Sequence, residues 1–216
     1  MNILTIRTRR PSTCTVFALT ILMGIMALQA QVPAPTKVAV DVKEVEAIMQ
    51  KTPEFQFSVS DSKKDGKRKE WFELEIEFET KSDSKIKQIP ELQVAYYLAI
   101  ASPAGNQIYT GQFNYTNIID DEENFSVVYI SPAGLTRIAG EPRKFRLGDV
   151  KAWGVEFLYQ GRVVGGDVSS GNIQSPWWAA GAASQYPRVA GLLLPKEKTP
   201  FRLCWIDRHV ELKSNN

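Results

Sequence analysis

Between Glu70 and Lys81 the chain alternates without a break. Phe72, Leu74, Ile76 and Phe78 fall on one parity; Glu73, Glu75, Glu77 and Glu79 fall on the other. Side chains change faces at every residue of a strand, so this stretch has one oily and one acidic face. The oily face needs a second layer and the acidic face needs water, which predicts a sheet stacked on a sheet.

The same period recurs along the chain. Phe55, Phe57 and Val59 predict a strand over Glu54–Ser60. Leu92–Ser102 has Val94, Tyr96, Leu98 and Ile100 on one face and Ala95, Tyr97 and Ala99 on the other, which suits a central strand. Further strands are expected at Gln107–Ile119, Asn124–Ile130, Val150–Tyr159, Arg162–Ser169 and Phe201–Leu212. Val38–Gln50 carries two periods: Val38, Val40 and Val42 alternate, while Val42, Val45, Ile48 and Met49 recur like a helix face. The expectation there is a strand turning into a short helix.

Turn chemistry punctuates these segments. Asp65-Gly66, inside the lysine-rich connector Asp61–Lys69, predicts a hairpin joining Glu54–Ser60 to the opening strand. Ser102-Pro103-Ala104-Gly105 reads as a type I turn. Gln160-Gly161 sits where a two-residue hairpin loop belongs, and Gly165-Gly166 marks a bulge or bend. Ser131 is placed to cap a helical turn running toward Gly140, and Ser175-Pro176 to cap a short helix from Trp177 to Ser184. Tyr186–Pro200 reads as a long loop. The sum is an all-β fold: a β-sandwich of about eight or nine antiparallel strands with one or two short helices, with a closed barrel as the alternative. The Cys-Trp-Cys arrangement of antibody domains is absent, so any immunoglobulin likeness is one of architecture.

The first 30 residues stand apart. Arg7, Arg9 and Arg10 precede an uncharged apolar run, Thr15–Ala27, and Ala30 closes it before Gln31-Val32-Pro33. This is the layout of a secretory signal peptide, leaving residues 31–216 as one domain. The leader also carries the charge excess. The chain has 26 basic and 24 acidic residues; without the three leader arginines 23 basic residues face 24 acidic ones, a net of −1. The domain therefore lacks the cationic surface that nucleic acid would want.

Reactive groups are few. Beyond the leader the only cysteine is Cys204, in the apolar setting Leu203-Cys204-Trp205-Ile206, expected to be a buried free thiol. His209 is the only histidine and is expected at a strand edge or surface. One histidine and one thiol build neither a zinc site nor a hydrolase triad, and no metal or cofactor is expected. Asp120–Glu123 lacks the alternate spacing and turn glycine of a calcium loop and reads as a solvated turn. Glu156, between Val155 and Phe157, is expected on the solvent face of its strand. Trp177-Trp178, in a loop rather than a strand, is the candidate contact for a partner or a glycan; packing beneath the long loop is the alternative.

The stretches Trp71–Phe78, Gly148–Val164 and Pro200–Val210 resemble a family of small exported proteins of verrucomicrobial gut bacteria, encoded with a type IV pilus-like gene cluster. The resemblance implies an immunoglobulin-like fold and a periplasmic or cell-surface, outer-membrane-associated location. It also implies protein partners in pilus-like assemblies or the host mucosa, and no catalytic residues. A non-enzymatic envelope protein is thus the leading expectation. A carbohydrate-binding module using Trp177 and Trp178, and a glycoside-active enzyme with unidentified carboxylates, are the alternatives.

Overall fold

The computed structural model describes residues 37–54, 67–83, 85, 87–140, 144–171, 173, 176–179 and 186–214. The expected signal peptide, the Glu54–Ser60 strand beyond its first residue, and the Asp65-Gly66 turn lie outside them. Among the described residues no helix is long and apolar enough to cross a membrane.

Two sheets face each other. The first contains β1 (Val38–Lys51), β2 (Glu70–Ser82), β5 (Glu123–Ile130) and β9 (Leu193–Pro195), in the order β1-β2-β5-β9. The second contains β10 (Glu211–Leu212), β4 (Gly105–Ile119), β3 (Gln88–Ser102), β6 (Val150–Tyr159) and β7 (Arg162–Val168), in that order. The short β8 (Arg188–Ala190) pairs with β4 in parallel. The arrangement is an all-β sandwich. The run β7-β6-β3-β4 against β1-β2-β5 corresponds to strands G-F-C-C′ against A-B-E of an immunoglobulin domain.

The inward parity of each long strand builds the core. Phe72, Leu74, Ile76 and Phe78 of β2 meet Val94, Tyr96, Leu98 and Ile100 of β3 and Val155 and Phe157 of β6, all with no exposed surface. β3 is central, with β4 and β6 on its two sides. The β6–β7 hairpin turns at Gln160 (φ 50°) and Gly161 (φ 75°), the left-handed pair of a type I′ turn. Its register slips between Phe157 and Leu158, placing a bulge beside Gly165, as expected. The helix α1 (Pro132–Ala139) starts on the Ser131 cap and ends at Gly140, one turn longer than the sequence suggests.

Three expectations are corrected. Val38–Lys51 is strand throughout. A bulge between Val42 and Glu44 inserts Lys43, so inward residues run Val38, Val40, Val42 and then Val45, Ala47, Met49. The extra residue turns a two-residue step into three, which mimics a helix. Among the described residues β2 pairs with β1 on one edge and with β5 on the other. The stretch read as a loop from Tyr186 holds β8 and β9, which raises the strand count to ten among the described residues and makes one pairing parallel. Phe201–Leu212 is not a strand: Thr199 caps a 3-10 turn over Pro200–Leu203, and only Glu211–Leu212 pairs with β4.

Asp120 departs from the expected solvated turn as well. The turn is there, but its carboxylate is fully buried and ties β2 to the end of β4. It accepts from the Ser82 hydroxyl (2.7 Å), the Ser82 N–H (3.2 Å) and the Thr80 hydroxyl (3.2 Å), with Lys87 at 3.8 Å. Asp120→Asn turns one acceptor oxygen into a donor facing a donor and is expected to cost about 1 kcal/mol in urea unfolding. Among the described residues no group of three or more His, Cys, Asp or Glu is placed to hold a metal ion.

Candidate functional site

The outward parity of the second sheet forms the floor of a cleft. Ala95 and Tyr97 of β3 and Thr110 and Gln112 of β4 lie across from one another in register. Leu194 and Pro195 of β9 form a wall, and Arg188 and Lys198 also line the space, which measures about 490 Å³. That volume lies in the range of small-molecule and side-chain pockets. Neither Arg188 nor Lys198 has an ion-pair partner among the described residues, and no carboxylate lines the cleft there. Two uncompensated cations over a partly apolar floor make it a site for something negative with an oily flank.

The tryptophan pair adjoins this cleft. Trp178 lies flat on Tyr97, with ring centroids 4.5 Å apart and planes 11° from parallel, and Trp177 meets it edge-on at 5.0 Å. Tyr97 is paired across the sheet with Gly154, and a Cβ there would fall 1.9 Å from the Trp178 ring. The glycine thus leaves the space that the indole fills. Arg188 donates to the Trp178 carbonyl, fastening the segment to the cleft rim. Trp178 is only 3% exposed and Trp177 is half-buried, so the pair packs on the sheet instead of standing free. The described part of the expected helix is a turn closed by Ala179 N–H to the Pro176 carbonyl. Glu156 is half-buried and accepts from the Tyr97 hydroxyl at 2.9 Å. Burial, then Glu156, pushes Tyr97 up to about 12. Gly154→Val should displace Trp178, cost about 1–2 kcal/mol and red-shift the tryptophan emission, checked by fluorescence-detected urea unfolding.

A second polar cluster lies on the outward face of the first sheet. His209 is buried, against expectation. Its Nε2 lies 2.7 Å from Glu75 Oε2 and its Nδ1 3.1 Å from Lys196 Nζ. An ammonium only donates, so Nδ1 accepts and the proton sits on Nε2, directed at Glu75. Arg208 donates to the other Glu75 oxygen at 2.6 Å. Burial raises the Glu75 carboxyl, but the bonds from His209 and Arg208 outweigh it and hold it below the usual range. Lys196, also buried, is pushed down by desolvation.

Lys196 further donates to the Trp205 carbonyl at 2.9 Å. Trp205 is held at φ 49°, a left-handed conformation that a bulky residue rarely adopts. The consequence is an outward tip: Leu203, Trp205 and Ile206 are 57%, 48% and 65% exposed. Cys204 is half-buried rather than buried.

A protein-family model matches residues 31–216. The chain belongs to that family. A crystal structure of a protein from Akkermansia muciniphila matches with a TM-score of 0.72 and 27% identity over 84% of this chain and 96% of that one. A search of curated proteins finds no match. The family extends over every element that builds the cleft, the tryptophan pair and the tip.

Proposed function

We propose that the chain is an exported, non-enzymatic structural or interaction protein of the bacterial envelope, associated with a type IV pilus-like system and placed in the periplasm or at the cell surface. The observation that carries this reading is the family membership together with the Akkermansia match, which spans nearly the whole of that protein. It agrees with the sequence resemblance to exported verrucomicrobial proteins encoded beside pilus-like genes. The family match starts at residue 31, directly after the expected cleavage point. Two polar clusters of the domain serve packing: His209 is held between Lys196 and Glu75, and Asp120 pins two strands. Among the described residues, the cleft and the tip are surfaces open to a partner. An affinity pull-down from envelope fractions should recover pilus-like or surface components, and recovery of none would overturn the reading.

A further inference from the structure

The tip and the cleft are complementary. The tip offers Leu203, Trp205 and Ile206 to solvent, followed by Asp207, an exposed carboxylate with no ion-pair partner among the described residues. Around Arg208 beside it stand Glu44, Glu46 and Glu77, so its surroundings are acidic. The cleft offers the reverse: an apolar wall at Leu194 and Pro195, room for large side chains, and the unpaired cations Arg188 and Lys198. We propose that the tip Leu203–Asp207 of one copy seats in the cleft of a second copy, with Trp205 and Ile206 on the apolar wall and Asp207 between Arg188 and Lys198.

Three observations favour a second copy as the occupant. The charges match in sign: Asp207 on the tip is an acid without an ion-pair partner among the described residues, and Arg188 and Lys198 in the cleft are bases without one, which favours encounter. The tip is tied down: the Trp205 carbonyl accepts from Lys196 Nζ (2.9 Å) and from the backbone N–H of Arg208 (3.2 Å). A rigid aromatic anchor loses little freedom on binding. Trp205 is held at a left-handed φ with its indole edge-on to His209 at 6.5 Å and 48% exposed, so much of an aromatic surface faces solvent. Tip and cleft are different surfaces. The contact is therefore either reciprocal, giving a closed dimer, or head-to-tail, giving a ring or a filament.

The inference does not depend on any envelope partner, because the test uses the purified chain alone. Sedimentation velocity over a concentration series should show reversible self-association. Lys198→Glu and Asp207→Lys, both at exposed positions, should each weaken it at least about tenfold. The two changes combined in one chain should associate more tightly than Asp207→Lys alone, because the exchanged pair attracts again while Arg188 still repels. Trp205→Ala with Ile206→Ala should abolish it. A wild-type chain monomeric at every concentration, single variants that associate unchanged, or a combined variant no tighter than Asp207→Lys alone would each overturn the proposal. A failed pull-down with intact self-association would sink only the pilus reading.

Discussion

Phe78→Ala is expected to lower the free energy of unfolding by about 3–5 kcal/mol. Phe78 points inward from β2 with no exposed surface and meets Phe157 of β6, in the opposite sheet, at a centroid distance of 4.7 Å and a tilt of 46°. The pair is thus a direct tie between the two layers. Truncation removes the transfer free energy of the ring and leaves a cavity walled by strands that cannot collapse into it. The neighbouring Glu77, on the outward parity, is the control: Glu77→Ala should change stability by less than about 0.5 kcal/mol. For a domain of this size the Phe78 variant should melt roughly 10 °C lower. Urea unfolding of both variants checks the assignment of faces. Equal effects would mean that the alternation does not mark inside and outside. A double-mutant cycle with Phe157→Ala should show coupling, since the two rings share one cavity.

The long strands were legible because both of their signals agree. β6 occupies Val150–Tyr159, the bounds its alternation predicts, and β2 runs one residue past the predicted end. Legibility failed where a single residue or a distant contact decided the outcome. Lys43 alone, by bulging, disguised half of β1 as a helix. β8 and β9 are three residues each, too short to display any period. Phe201, Leu203 and Trp205 do alternate, yet Leu203 and Trp205 face solvent, because Thr199 and Pro200 start a 3-10 turn instead. The candidate site was barely legible. Tyr97, Gln112, Arg188 and Lys198 come from separate segments, and only the fold brings them to one cleft. One signal was available: a glycine inside the apolar strand Val150–Tyr159 marks a close approach, and Gly154 is where Trp178 lies down. The Glu75–His209 contact joins residues 134 positions apart and left no local trace.

Raising the pH from 5 to 8 is expected to destabilise the fold through Glu73. This carboxyl lies on the outward face of β2 but is only 5% exposed, and its Oε2 has no hydrogen-bond partner among the described residues. Burial, reinforced by the neighbouring Glu75 charge, pushes it up to about 7 from the ordinary 4.5. Between those values the folded chain keeps a proton that the unfolded chain has released. Stability from this group is therefore complete below about pH 4.5 and is lost as the pH passes 7. The full shift would correspond to about 3 kcal/mol, and partial solvent screening reduces it to roughly 2 kcal/mol. Glu75 acts in the opposite sense: its carboxyl is held low, so its contribution is lost only as acid is added below the usual carboxylate range. The two are separable because Glu73→Gln removes one and leaves the other. The variant should match the wild type near pH 5 and exceed it at pH 8 by roughly 2 kcal/mol in urea unfolding. Parallel stability curves for variant and wild type across that window would show that Glu73 reaches water and ionises freely.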